Sequence, residues 1–270
     1  MDRLMTHNQA RMPSDNDPLL YEVATLTMKV ARPLVWHDVQ ASWPKRLSGG
    51  TCFILRFDVG LIGVTAEHVI TAFEAEKKKR GAAIDCLLRT VPFDLTGAIV
   101  DRDAELDIAT FSVTEDQLIE SKATEIDCRL EWPPPTPDNG RELSLAGFPD
   151  ELKKESSSPI EFRAYADLPR VEDVTYRDII STCQPQRDIR IRAAPEFPDL
   201  GANLSGCSGG PVLMHAERNG LHRWFPVGLI LRGPRASSNA TMPAIFRFRR
   251  IHFVNADGSI RHQNLGWLPK

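Results

Sequence analysis

Apolar and polar residues alternate along this chain in short bursts broken by turn residues, a pattern of many short strands rather than of long helices. Strand-like runs fall near residues 22–30, 51–57, 60–66, 84–89, 95–100 and 107–113. A second set falls near 143–148, 160–166, 188–192, 210–214, 225–231 and 243–248. Between the sets stands Trp132-Pro133-Pro134-Pro135-Thr136-Pro137-Asp138-Asn139-Gly140, whose prolines continue neither a strand nor a long helix. The pattern therefore predicts a flexible segment over 1–20, a first β-domain over 21–131, a Pro-rich linker over 132–142 and a second β-domain over 143–270. Asp58-Val59-Gly60 is hairpin chemistry between two of the runs. Val69, Ala72 and Phe73, set against the charged run Glu76 to Arg80, predict one short amphipathic helix. Residues 150–158 read as an exposed loop.

Three segments carry chemistry. Gly206-Cys207-Ser208-Gly209-Gly210-Pro211 describes a serine in a glycine-rich turn, where the main chain can bend so that the N–H groups of Gly206 and Ser208 converge on one oxyanion. A serine hydroxyl is a weak nucleophile and needs a histidine base oriented by a carboxylate. The apolar run Leu61 to Ala66 delivers His68 at its tip, on a scaffold stiffened by the preceding hairpin. Asp107 opens the run Ile108, Thr110, Phe111, Val113, and a carboxylate at the edge of a core needs a partner. The imidazole N–H of His68 is the partner proposed; capping of a turn is the alternative. Asp101, Asp103 and Glu105 read as solvated turn charges, and the other six histidines as structural or exposed.

Thr65-Ala66-Glu67-His68-Val69, Asp107-Ile108-Ala109 and Gly206-Cys207-Ser208-Gly209-Gly210-Pro211 resemble, in chain order, the His, Asp and Ser motifs of chymotrypsin/trypsin-like serine peptidases. Val227 to Gly233 looks like that family's substrate-binding strand, and Ala146-Gly147-Phe148-Pro149 like the start of its second barrel. Gly50-Thr51-Cys52-Phe53 is similar to the strand before the histidine in the disulfide-free bacterial branch that includes HtrA-like enzymes, here without room for a PDZ domain. The resemblance covers about residues 45–250 and implies an all-β fold of two six-stranded antiparallel barrels with the active site in the cleft between them. It implies a serine endopeptidase with His68, Asp107 and Ser208 as its triad and Gly206 and Ser208 as its oxyanion hole. It further implies a specificity pocket formed by Ala202, Asn203, Leu231, Arg232 and Gly233. Ala202 stands where enzymes selective for lysine and arginine carry an aspartate, so a small or medium apolar residue is expected on the acyl side of the cleaved bond. Asp199 lies nearby in sequence and is the acid that would change this.

Two departures bear on regulation. Cys207 replaces the aspartate that pairs with a newly released amino terminus in activatable members, so that switch is not expected. Val69 replaces the usual cysteine after the histidine, removing the associated disulfide. Control is then expected from a regulatory protein partner or from the polypeptide substrate itself. Cys207 reads as a small buried side chain.

Composition narrows the alternatives. With 42% hydrophobic and 26% charged residues in 270, a net charge of −3 and pI near 6.2, no basic field recruits nucleic acid or anionic lipid. The amino-terminal residues Met1 to Pro18 lack the apolar core of a signal peptide, and no run is long enough to span a membrane, so a cytoplasmic protein is expected. Five cysteines, at 52, 86, 128, 183 and 207, contain no Cys-x-x-Cys pair; thiols, no metal and no cofactor are expected. Gly201 to Ser208 mimics a P-loop, but cysteine stands in place of the phosphate-reaching lysine, and Gly209-Gly210-Pro211 would break the helix that must follow. The remaining rival is a catalytically silent module that keeps the fold to bind a partner.

Overall fold

The computed structural model describes residues 25–40, 47–150, 162, 164–183, 204–218, 221–232 and 244–262. These form two sheets, antiparallel apart from one short pairing, and one of them is curled into a half-barrel. The first contains β1 (Arg32–Asp38), β2 (Ser48–Phe57), β3 (Gly60–Thr65), β4 (Ile84–Leu88), β5 (Val91–Pro92), β6 (Ile99–Asp103), β7 (Ile108–Val113) and β8 (Ile126–Asp127). Its order is β5-β4-β1-β2-β3-β7-β6, with β8 parallel to β2. The second contains β9 (Ser144–Gly147), β10 (Tyr165–Asp167), β11 (Arg170–Val174), β12 (Asp178–Cys183), β13 (Pro211–Arg218), β14 (Leu221–Arg232) and β15 (Ala244–Arg250). Its order is β10-β9-β13-β14-β15-β12-β11.

The all-β expectation thus meets sheets of eight and seven strands rather than six each. In the first sheet the surplus is β5 and β8, pieces of two residues apiece. Two of the strand-like runs are partly helical. Residues 25–30 form a helical segment because Leu26 and Val30, four apart, turn the same face to the first core. Leu95–Ala98 is a single helical turn, started by the Asp94 side chain accepting from the Gly97 N–H at 3.2 Å, and the strand begins only at Ile99. The run 188–192 and most of the loop 150–158 lie outside the described residues, as does the segment 1–20.

The first core is built from the inward side chains of β1, β2, β3 and β7, among them Leu34, Phe53, Leu55 and Phe111, closed by Ile70 and Phe73 of the helix Glu67–Arg80. Burying each of these contributes about 1.5–3 kcal/mol relative to exposure. The second core gathers Leu145, Val212, Ile230, Phe246 and Phe248. The two sheets are also sewn together. Leu213, Leu229 and Leu231 from the second sheet and Ile251, Phe253, Val254 and Ile260 beyond it all lie in the first core. Thr110 Oγ1 donates to Gly258 O at 2.6 Å, Ile260 N to Asp101 Oδ2 at 2.7 Å, and Trp132 Nε1 to Val254 O at 2.9 Å. The last described segment therefore returns onto the first sheet and braces strands β6 and β7. Among the described residues, no helix is long and apolar enough to cross a membrane.

Candidate active site

His68 sits where β3 ends and the helix Glu67–Arg80 begins. Ala66 is the N-cap residue and has no side chain able to cap, so the first helical N–H groups must find acceptors elsewhere. Asp107 supplies one: its Oδ1 accepts from the His68 backbone N–H at 3.0 Å. The same carboxylate faces the imidazole, with Nδ1 3.0 Å from Oδ1 and 2.9 Å from Oδ2. An ionised carboxylate only accepts, so Nδ1 carries the hydrogen and Nε2 is left as the basic nitrogen. A negative group at this helix end also meets the positive end of the peptide dipoles, worth about 0.3–1 kcal/mol.

Asp107 reaches this position through a tight turn. Asp103 Oδ1 accepts from the N–H groups of Glu105 and Leu106, both at 2.8 Å, and buried Leu106 anchors the loop. Asp107 itself has φ +55°, a left-handed conformation that aspartate tolerates better than most residues. Burial pushes its carboxyl up, but the hydrogen bonds and charge of His68, helped by Arg249, outweigh this and hold it below the usual carboxylate range.

Ser208 belongs to the second sheet, at the turn before β13. Cys207 N donates to Leu204 O at 3.1 Å and Gly210 N to Cys207 O at 2.9 Å, while Gly209 N and Gly210 O bond to Ile230 of β14 at 2.7 and 2.9 Å. Gly206 has φ +95° and Gly209 φ +84°. A Cβ on Gly209 would stand 2.2 Å from Thr51 O and 2.3 Å from Thr65 Oγ1, so the turn fits only because that atom is missing. Cys207 is buried against Gly147 of β9 and forms no disulfide. Among the described residues no acceptor engages the backbone N–H of Gly206 or of Ser208. Gly206 is buried and Ser208 half-buried, so the two N–H groups of this one turn are donors available to an oxyanion.

Thr51 links the two halves of the site. Buried Thr51 of β2 donates through Oγ1 to Gly206 O at 2.8 Å and accepts from Phe148 N at 3.0 Å, while its N–H donates to Ser208 O at 2.8 Å. Thr65, at the end of the strand that delivers His68, donates to Thr51 O at 2.8 Å. Thr51 is thus tied to both the turn that carries Ser208 and the strand that delivers His68. Behind His68, Glu67 accepts from Thr71 at 2.8 Å and pairs with Arg102 at 2.8 Å.

A cavity of about 440 Å³ lies between these elements, lined by His68, Val69 and Ala72 of the helix, by Gly206, Ser208, Ser205 and Asp150, and by Trp36 and Leu47. The structure therefore brings His68 and Asp107 into direct contact and sets Ser208 and Gly206 on the same cavity. It does not join Ser208 to His68. The Ser208 hydroxyl donates instead to Leu231 O at 3.2 Å. Of the expected pocket residues, Leu231 offers that carbonyl while its side chain is buried in the first core, and Arg232 pairs along the backbone with Arg247. Ala202, Asn203 and Gly233 lie outside the described residues.

Sequence reasoning singles out the segment containing Thr51 but not the clamp it makes, whose partner is 155 positions away. A threonine beside the apolar run Cys52 to Leu55 is the available signal. Asp150 lies at the start of a stretch that the sequence marks only as a loop. No protein-family model matches this chain, and no curated protein matches it either.

Proposed function

We propose that this chain is a serine endopeptidase of the chymotrypsin/trypsin-like type, acting through an acyl-enzyme. The observation that carries the reading is the Asp107 carboxylate, which caps the His68 amide and holds its Nδ1 at 2.9 Å, on a cavity shared with Ser208 and two unengaged amides. In this reading the two sheets are the two barrels of that fold, and the cavity is the cleft between them.

The chemistry follows from the geometry. A peptide carbonyl lodges its oxygen against the Gly206 and Ser208 N–H groups. Ser208 Oγ turns from Leu231 O toward Nε2 of His68, which accepts its proton as the Oγ–C bond forms. Asp107 stabilises the imidazolium and keeps the ring in place. The tetrahedral centre collapses, the C–N bond breaks, and His68 returns the proton to the leaving amine. Water then repeats the sequence, with His68 as base, and releases the acid. Loss of one oxyanion donor would cost about 10²–10³ in turnover.

A second reading is favoured by the Ser208–Leu231 hydrogen bond, which holds the hydroxyl away from the base. On that reading the chain is a catalytically silent module that binds polypeptide in the same cavity. Labelling by a fluorophosphonate separates the two. A peptidase undergoes stoichiometric modification of Ser208, lost in Ser208→Ala and strongly slowed in His68→Ala. A folded protein whose Ser208 resists labelling supports the silent module.

A further inference from the structure

We infer that the cavity beside His68 is a subsite for a lysine or arginine side chain on the leaving-amine side of the cleaved bond, with Asp150 as the residue that selects it. This rests on the peptidase reading and deepens it.

The side of the bond follows from the flanks of Ser208. On one flank Ser208 Oγ contacts Leu231 O at the end of β14, and Leu231 does not line the cavity. On the other flank the cavity opens against His68 and the next turn of its helix, Val69 and Ala72. The imidazole must hand its proton to the departing nitrogen, so that nitrogen sits beside His68 and the residue carrying it enters the cavity.

The chemistry of the walls then chooses the residue. Among the described residues lining the cavity, Asp150 is the only carboxylate, and none is lysine or arginine. Asp150 is held in place by its N–H donating to Ser205 O at 2.7 Å and by the Ser205 hydroxyl donating to its Oδ2 at 3.0 Å. A carboxylate accepts up to about four hydrogen bonds, so it can take a charged donor alongside the partners it already has. Trp36, Leu47, Val69 and Ala72 supply apolar wall for an aliphatic stem, the part of a lysine or arginine side chain that favours burial. A long stem ending in a cation satisfies both surfaces. An acidic side chain would meet Asp150 with like charge.

Asp150 is exposed, so the expected preference is moderate, about five-fold for Lys over Met, and it should shrink as salt rises. The test uses peptides with an apolar residue before the bond and Lys, Met or Glu after it. Cleavage is measured with the unaltered chain, Asp150→Asn and Asp150→Lys, and binding of the same peptides is measured with Ser208→Ala and with Ser208→Ala/Asp150→Asn. The Lys preference should vanish in Asp150→Asn and turn toward Glu in Asp150→Lys. An equal Lys preference in Asp150→Asn overturns the assignment, as does the absence of any charge preference or of any binding and cleavage. Charge-selective binding that depends on Asp150, with no cleavage and no labelling of Ser208, keeps the subsite and rejects the peptidase reading. Cleavage with no charge preference does the reverse.

Discussion

The proposed base, His68, and the proposed nucleophile, Ser208, are held by different physics. His68 and Asp107 are fixed through side chains: one carboxylate satisfies an orphan helix N–H and an imidazole N–H together. Ser208 is fixed through the main chain: a glycine turn bonded to Ile230 and clamped by Thr51. The first arrangement is vulnerable to the loss of one charge. The second is vulnerable to the gain of one methyl group.

That contrast orders the expected effects. Asp107→Asn should be the most damaging to chemistry, because an amide can still accept from the His68 N–H but cannot stabilise the imidazolium or enforce the tautomer. Turnover should fall by about 10⁴-fold, equivalent to about 5 kcal/mol, with the circular dichroism spectrum retained. Steady-state kinetics against a cleaved peptide read this directly, and a loss below about ten-fold would mean that Asp107 only caps the helix.

Gly209→Ala should be the largest blow to stability, about 2–4 kcal/mol, since its Cβ would overlap Thr51 O in a left-handed conformation. Gly81→Ala is the control. It has φ +64° and ψ −139°, a conformation that favours glycine, with nothing within 4 Å, so it carries only the conformational cost of about 1–3 kcal/mol. Denaturant melts of both variants compare packing with backbone strain, and equal losses would show that the turn is not tightly packed.

Thr51→Val comes next. It keeps the shape but leaves Gly206 O and Phe148 N without the hydroxyl, at about 1–3 kcal/mol, and loosens the turn that carries Ser208. Labelling of Ser208 should slow in Thr51→Val and recover in Thr51→Ser. If valine labelled as fast as threonine, the turn that carries Ser208 would stand without the clamp.

The smallest effect concerns the brace behind Asp107. His262 Nδ1 is 2.8 Å from Asp103 Oδ2, and its Nε2 is 3.1 Å from Asp101 Oδ2. These hydrogen bonds, led by the one to Asp103, raise the His262 pKa above the ordinary imidazole value of about 6.5. A raised folded-state pKa stabilises the fold fully below the unfolded value and loses that contribution as pH rises through the folded one. The unaltered chain should therefore lose stability relative to His262→Gln as pH climbs above about 6.5, by less than about 1 kcal/mol because the ring is more than half exposed. Melting temperatures of the two proteins from about pH 5.5 to about pH 8.5 check the sign, and parallel curves would show that the clasp carries no net energy.

What can be read in the sequence is local. A histidine at a strand-to-helix junction, an aspartate at the mouth of an apolar run and a serine among glycines each declare themselves within a few residues. Strands such as β2, β3 and β7 are legible for the same reason, since their apolar runs are continuous and bounded by turn residues. The helical segment over 25–30 is not, because a short apolar run fits either period until the core it faces is known. Strands β11 and β12 escape the pattern because β11 carries charged residues and β12 contains serine and threonine, so their apolar content is diluted. The Thr51 clamp and the place of Asp150 on the cavity depend on contacts between segments far apart in sequence, which no local pattern encodes.

The most direct test of peptidase chemistry at this site is to trap the acyl-enzyme. The protein is mixed with an activated ester of an apolar amino acid, quenched in acid, and its mass and proteolytic fragments are measured. One added acyl group is expected on the fragment containing Ser208, absent in Ser208→Ala and formed far more slowly in His68→Ala. A folded, unaltered protein that acquires no acyl group on Ser208, or acquires it equally fast without His68, would contradict the proposed mechanism.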